Sequence, residues 1–394
     1  MRPLKILIAL QYYVPHRTGL TLHVQRIAEA LTQRGHHVTV ITARFKPELR
    51  RHEIVNGVRV VRLWSPIHIS RGMIMPTYLW SALSLALAND VISIHSPMLE
   101  THVFALIARL LKKGLVITHH GDLILPEGWL NRFVMWVTFH LYTLAASVAD
   151  HIIAYSKDYA TNSYYIAPFR AKTQVIYPPI VVKTPDAKRA KMLRKEWLAG
   201  TPGTARLIGY AGRFVEEKRP DVLIHALSTI HASFPGSKIV LAGEYDVSYE
   251  GFFQRHRALV ERYKDSLIFL GLLTDEQEVA NFYAACDVLA LPSDTECFAL
   301  VQVEAMRCGT PVVATNIPGA REVVRVTGMG ELAPPRNSEA LGKAIVRVCE
   351  NRAKYIKPLA QIDSIFNFSQ TVDRYERLLL DAAHIPARVN GKAA

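Results

Sequence analysis

The chain has 394 residues, half of them hydrophobic and 21% charged, with a formal net charge of +13. That length exceeds one ordinary core and suits two α/β domains, and the apolar content excludes an intrinsically disordered chain. The four cysteines, Cys286, Cys297, Cys308 and Cys349, form no Cys-x-x-Cys pair and lie away from any histidine cluster with metal-ligand spacing, so reduced thiols are expected rather than a disulfide scaffold or a zinc site.

In chain order, Met1-Arg2-Pro3-Leu4-Lys5 runs straight into the apolar Ile6–Leu10. That stretch is short and has no small-residue cleavage site after it, so it reads as a first buried strand and not a signal peptide. The spacing of Leu20, Val24, Ile27, Ala28 and Leu31 predicts a helix facing a sheet, ended by Gly35. Further strands are expected at His37–Thr42, Val91–Ile94, Val116–Thr118 and His151–Tyr155, with a hairpin turning at Asn56-Gly57. The apolar stretches Tyr78–Ala88 and Met135–Ala149 are shorter than the ~18–20 residues of a spanning helix. Within Leu130–Ala149 a core face is expected at Leu130, Phe133, Val134, Val137, Leu141, Leu144 and Val148, with Met135, Trp136, Phe139 and Tyr142 widening the apolar surface. Residues 183–203 read as a linker carrying a short helix. The alternation then restarts, with strands at Leu207–Tyr210, Lys238–Leu241, Leu267–Leu270, Val288–Leu291 and Pro311–Ala314, and a helix from Asp275 behind a capping box at Thr274–Gln277. Two doubly wound sheets are the expected outcome, with ligands at the carboxyl ends of the strands.

Charge is unevenly placed: residues 1–180 hold 19 lysines and arginines against 9 aspartates and glutamates. The densest part is Arg44, Lys46, Arg50, Arg51, Arg59, Arg62 and Arg71 against Glu48 and Glu53. Such a patch attracts polyanions, including an acidic membrane leaflet, or is a solvated face with no partner.

Four stretches carry chemistry. The first is Pro292-Ser293-Asp294-Thr295-Glu296-Cys297-Phe298-Ala299-Leu300, at a strand end and leading into a helix that holds Glu304. The backbone N–H groups of Phe298, Ala299 and Leu300 suit an anion such as a diphosphate. Two carboxylates beside such a site suit hydroxyl-bearing parts of the same ligand. Glu304, between Val303 and Ala305, is expected to need a partner. The second is Gly212-Arg213 with Lys218, where Arg213 can grip phosphate bidentately and Lys218 acts as a point charge. The third is Gly19 in the first βα turn, where backbone can approach a phosphate. The fourth is His119-His120-Gly121-Asp122, just past a strand. One histidine there could meet a substrate hydroxyl or phosphate, or be a satisfied core residue; a metal pair is disfavoured because neighbours on a strand point to opposite faces.

Taken together these residues resemble the retaining glycosyltransferases of family four, across about residues 5–383. The resemblance rests on Gly19, Arg34–Val40, His120, Gly212-Arg213 with Lys218, Ala242-Gly243-Glu244, Asp287-Val288 leading to Pro292-Ser293, Glu296-x7-Glu304, and Asn367-Phe368-Ser369 opening a helix with Tyr375. It implies the GT-B architecture: two Rossmann-like doubly wound domains facing across a deep cleft. Residues 1–182 would bind acceptor, 183–203 link, 204–365 bind donor, 366–384 form a helix crossing back, and 385–394 a tail. It implies that Arg213 and Lys218 neutralise the donor diphosphate, that Glu304 holds the ribose hydroxyls, and that Glu296 with the N–H groups of Phe298 and Ala299 holds the sugar. Leu300 N–H would meet a phosphate, Gly19 and Gly212 the diphosphate, residues after Gly243 and Gly271, such as Leu272, the base, and His120 the sugar and its departing phosphate. The implied reaction retains the anomeric configuration by a front-face route, with a nucleotide sugar as co-substrate and no metal; no Asp-x-Asp stands ready to hold one.

The chain departs from the family where Thr18-Gly19 and Thr21 replace the common two glycines and a glutamate, where Ala299 replaces glycine, and where Tyr177-Pro178-Pro179 replaces an Asn-Gly turn. The added methyl at Ala299 is expected to narrow the donor pocket. A lipid-linked or saccharide acceptor is expected, donated to by UDP-hexose or GDP-mannose, in the cytoplasm or peripherally on the cytoplasmic face of a membrane. The basic first domain and the 130–149 helix suggest an anionic membrane surface, the other reading being a helix buried on all sides. Nucleic acid is not expected, since no stacking aromatics interleave the basic run. A sugar phosphorylase of the same fold and a non-catalytic binder of sugar nucleotide or polyanion are the other readings, and the oligomeric state stays open.

Overall fold

Short runs of β-branched and aliphatic residues form strands in both halves of the chain, and the segments with apolar residues three and four apart form helices between them. The computed structural model describes residues 2–69, 72–98, 100–123, 128–247 and 250–384. Arg71 of the basic patch and the expected tail at 385–394 lie outside the described residues. The chain divides into two compact units, Met1–Pro179 with Phe368–Ala394, and Ile180–Asn367.

The first unit contains β1 (Lys5–Ala9), β2 (His37–Ala43), β3 (His52–Val55), β4 (Val58–Leu63), β5 (Ile67–Ile69), β6 (Gly72–Ile74), β7 (Val91–Ser96), β8 (Gly114–His119), β9 (His151–Ala154) and β10 (Thr173–Val175). Eight of these form one sheet in the order β10-β9-β8-β7-β1-β2-β4-β3, while β5 and β6 pair separately. The large sheet is parallel except at the β3–β4 hairpin, whose Asn56 and Gly57 both take the positive φ that a tight two-residue turn requires. Alternate side chains enter two cores. Leu7, Ile92, Ile94, Leu115 and Ile117 pack with the helices Tyr78–Ala88, Thr101–Leu111 and Trp129–Val148. On the other face, Ile6, Ile8, Val38, Val40 and Val116 pack with the helices Gly19–Gln33 and Phe368–Ala382.

The carboxy-terminal helix belongs firmly to this unit. Val372, Tyr375, Leu379 and Leu380 are buried, each aliphatic among them contributing about 1.5–3 kcal/mol. Glu376 accepts from Arg34 and His36, and His151 meets Asp381 at 2.6 Å.

In the helix Trp129–Val148 the expected core face is not the one used. Thr138, Tyr142, Ala145 and Ala146 are buried, whereas Leu130, Phe133 and Leu144 are exposed. Small residues let the helix sit close to the neighbouring helix, and that outweighs the apolar moment of the larger side chains. Arg62 also leaves the expected basic surface: it is buried, pairs with Glu53 at 2.5 Å, and donates to the carbonyls of Val14 and Arg50.

The second unit holds β11 (Leu207–Ala211), β12 (Lys238–Ala242), β13 (Leu267–Gly271), β14 (Val288–Leu291), β15 (Val312–Thr315) and β16 (Gly330–Ala333) in the order β13-β12-β11-β14-β15-β16, all parallel. The order reverses between β11 and β14, so the loops after these two strands diverge and leave a crevice at the carboxyl edge. The corresponding reversal in the first unit falls between β1 and β7. The expected linker helix spans Ala187–Trp197 and packs on Glu276–Ala285, with Arg189 on Glu278 and Arg194 on Asp287. Asp275, not Thr274, caps that second helix by accepting from Gln277 N–H. Among the described residues no helix is long and apolar enough to cross a membrane.

Candidate functional site

At the reversal in the second unit, β11 delivers Gly212-Arg213 and β14 delivers Ser293–Ala299. Gly243, after β12, has φ +144, and a Cβ there would stand 2.1 Å from the Gly212 carbonyl oxygen. Only glycine allows that approach, and it locks two carboxyl-edge loops together through Gly212 N–H to Ala242 and Gly243 N–H to Gly271. Gly319 does the same on the other side, where a Cβ would lie 2.2 Å from the Glu296 carbonyl oxygen.

Across this frame Lys218 Nζ donates to Glu296 Oε1 at 2.6 Å, and Ser293 Oγ donates to the same oxygen at 2.8 Å. The glutamate side chain is 8% exposed and the lysine 25%. Burial works against the lysine's charge, but Glu296 outweighs it and holds Lys218 above its ordinary value. Arg213, more exposed, meets Glu217 at 3.2 Å. Burial, with Glu296 beside it, pushes the Cys297 thiol up to about 12, so it stays protonated and is no nucleophile.

The helix Leu300–Arg307 begins here, with Ala299 as its cap at φ 61. Phe298 and Ala299 therefore precede the helix, and Leu300 is its first residue. Phe298 is buried against Phe366 at 5.7 Å, which anchors the helix start. The left-handed φ of Ala299 explains why glycine suits this position: the constraint lies in the backbone. Glu304 faces back along the helix and accepts from Tyr283 Oη at 3.0 Å, the partner its half-buried carboxylate needs. Burial and the nearby Glu304 raise the Tyr283 phenol well above its ordinary value and keep it a donor. Leu272, exposed, follows Gly271 at the same sheet edge. Cations, a helix start and two supported carboxylates thus suit a ligand that is anionic at one part and hydroxylated at others.

The first unit gathers different chemistry at its own carboxyl edge. Gly19 opens the helix Gly19–Gln33 behind a capping box between Thr18 and Thr21. The adjacent histidines part as expected. His119 reaches Asp122 Oδ1 at 2.9 Å, an oxygen that also accepts from Ser163. His120 instead meets His95 and Tyr155, with His23 close by. His23, His95 and His120 bring one ring nitrogen each within 4.8 Å of one another, a metal-capable group among the described residues. Sequence reasoning missed His23, His95 and Tyr155, which lie far from His120 in the chain. It also missed Tyr283 and Gly319, which carry no spacing signal of their own.

A parallel α/β sheet with order reversal, a glycine-locked carboxyl edge and a Lys–Glu pair at a helix start define a nucleotide-binding type of domain, here present with a second doubly wound unit. The comparisons narrow this. Residues 18–179 match the family described as "Glycosyl transferase 4-like domain", and residues 194–361 match "Glycosyl transferases group 1". An uncharacterized glycosyltransferase of Methanocaldococcus jannaschii is 27% identical over 356 residues, covering 88% of this chain and 89% of the relative. A D-inositol 3-phosphate glycosyltransferase of Saccharomonospora viridis is 32% identical over 184 residues, 44% of this chain and 42% of the relative. The structure of Anabaena HepE in complex with UDP superposes with a TM-score of 0.75 at 22% identity, covering 96% of this chain and 100% of that one. The two matches together span most of the chain, which belongs to the family-four-like glycosyltransferases and has the GT-B fold.

Proposed function

We propose that this chain is a retaining hexosyltransferase that takes its sugar from a nucleotide diphosphate donor held by the second unit. The observation that carries this is the Lys218–Glu296 pair, which joins the loops after β11 and β14 at the point of strand-order reversal. In this reading Arg213 and Lys218 stabilise charge on the departing diphosphate, and preorganised cations of this kind act without reorganising as the bond breaks. Glu296 and the amides of Phe298 and Ala299 hold the sugar, Leu300 N–H and Gly212 meet phosphate, and Glu304 takes the ribose hydroxyls. Gly243 and Leu272 border the base. In the first unit Gly19 and His120 stand at the carboxyl edge, where ligands of such sheets sit. HepE's complex with UDP supports a uridine donor, with GDP-mannose as the second candidate.

Thermal unfolding with UDP, GDP and ADP, followed by turnover of the matching nucleotide sugars, tests this. One nucleotide should raise the midpoint in the wild type and not in Glu304→Ala. No shift with any of the three, with phosphate-dependent sugar release instead, would favour a phosphorylase.

A lipid-linked acceptor has its own support. The three helices on one face of the first unit expose Trp80, Leu110, Trp129, Phe133 and Trp136, and Lys46, Arg50, Arg51 and Arg59 are exposed on the same unit. Exposed aromatic and aliphatic side chains on a unit that also exposes cations suit an anionic bilayer surface. The chain should float with liposomes containing anionic lipid, and Phe133→Ser with Trp136→Ser should lose flotation. Wild-type protein that stays at the bottom of the gradient would remove the membrane from the account.

A further inference from the structure

Five aromatic side chains, brought together from two helices, the strand β7 and the loops after β8 and β9, meet at the carboxyl edge of the first sheet. His95 Nδ1 lies 2.8 Å from His120 Nε2, and His120 Nδ1 lies 2.6 Å from Tyr155 Oη. Tyr155 Oη is 3.1 Å from His23 Nδ1, and His23 Nε2 is 2.9 Å from Tyr375 Oη on the carboxy-terminal helix. Of the five, only His120 keeps appreciable accessible surface; the others are 1–4% exposed. The arrangement is a chain from His95 to Tyr375, both ends buried inside the unit, with His120 as its one accessible member.

We propose that His95, Tyr155, His23 and Tyr375 act as positioning residues that hold His120 as its neutral Nδ1–H tautomer and tie it to the carboxy-terminal helix. The direction follows from one atom. His95 Nε2 is buried with no hydrogen-bond partner among the described residues. A buried N–H without an acceptor is rarer than an unused lone pair, so the proton of His95 sits on Nδ1. His95 then donates to His120 Nε2, which leaves the proton of His120 on Nδ1, donating to Tyr155 Oη. Tyr155 donates to His23 Nδ1, and His23 Nε2–H donates to Tyr375 Oη. Each ring carries one proton and each bond has one donor, so no charged ring is needed anywhere. Burial, with the neighbouring rings adding to it, drives His23 and His120 well below the ordinary imidazole value, and burial alone takes His95 to about 3.

A divalent cation among the same three rings fits less well. Both nitrogens of His23 and both of His120 already have partners, and among the described residues no carboxylate joins the three rings to offset a buried double charge. For His120 the consequence is that its ring nitrogens are spent inside the unit. It offers a ligand the exposed part of its ring and its main chain, held in one orientation. That His120 borders a sugar rests on the transferase reading above, whereas the chain itself does not.

The test is a nitrogen–proton correlation spectrum of the full chain labelled with ¹⁵N-histidine and free of nucleotide, with His120 identified by His120→Gln. A bare Nε2 and a protonated Nδ1 are expected for His120 between pH 6 and 8. In Tyr155→Phe that preference should weaken by roughly fivefold, the worth of one such bond. In Tyr375→Phe a smaller change of the same sign should reach His120 through His23, although the substitution is remote from it. An Nε2–H tautomer, a ring that titrates near neutrality in the wild type, or metal at one equivalent in the purified protein would overturn the proposal. So would a folded Tyr155→Phe with an unchanged His120 signature. The wild-type spectrum decides the direction even if both variants unfold, and failure to bind nucleotide would leave this result untouched.

Discussion

The two units place polar groups at the same edge of the same kind of sheet, yet they do so with opposite chemistry. In the second unit the half-buried groups are ionised and paired, Lys218 on Glu296 and Arg213 on Glu217. In the first they are imidazoles and phenols, neutral and linked to one another. A charged ligand needs charge waiting for it, and a carboxylate beside a partly buried lysine favours the lysine's charged form. A neutral network costs less to bury and fixes orientation instead. The first edge is thus built to hold geometry and the second to hold an anion.

Breaking the ionised site should have the largest effect. Lys218→Met should lower turnover by at least about 100-fold, the usual loss when one preorganised charge contact is removed. It should also destabilise the chain by about 2 kcal/mol, because Glu296 is left nearly buried with Ser293 as its remaining donor among the described residues. Glu296→Gln added to it should restore most of the stability and none of the turnover. Recovery of both, in unfolding curves and sugar transfer, would mean the pair is structural.

The next effect separates the units by pH. Imidazoles depressed below 6.5 bind protons more readily in the unfolded chain, so they stabilise the first unit above that value and cease to do so as pH falls. Glu100, raised by burial to about 7, opposes this between pH 4.5 and 7, one group against three. The raised Lys218 contributes stability that persists through this range and fades only at alkaline pH. Amide protection, corrected for intrinsic exchange, should therefore fall in β7–β9 before β11–β15 on going from pH 7 to 5.5. Equal loss in both sheets would contradict the contrast.

A small effect is expected at Ala299. Its φ of 61 strains a residue with a Cβ, and Ala299→Gly should stabilise by up to about 1 kcal/mol with little change in donor selectivity. A changed donor profile would revive the pocket-narrowing role of the methyl group.

Much of this was legible in the sequence where the signal is local. Arg213 with Lys218 and Glu296 with Glu304 sit close in sequence, at strand ends that the apolar runs mark. The strands β10 and β16 were not foreseen: Thr173–Val175 is only three residues long, and Gly330–Ala333 carries Gly and Glu. The helix 129–148 misled because its apolar residues surround it, and only the neighbouring helix decides which side is buried. The histidine chain is invisible to spacing, since Tyr155 and Tyr375 reach His23 across 132 and 352 positions. Only the sheet order and the returning helix bring them together.

The central claim, that the ionised edge of the second unit holds the donor, is tested most directly by segment-resolved hydrogen exchange of the full chain with and without UDP or GDP, whichever shifts its unfolding. Protection should rise in residues 212–218, 271–273 and 293–304, and that rise should vanish in Glu304→Ala. Protection confined to the histidine edge of the first unit would contradict it.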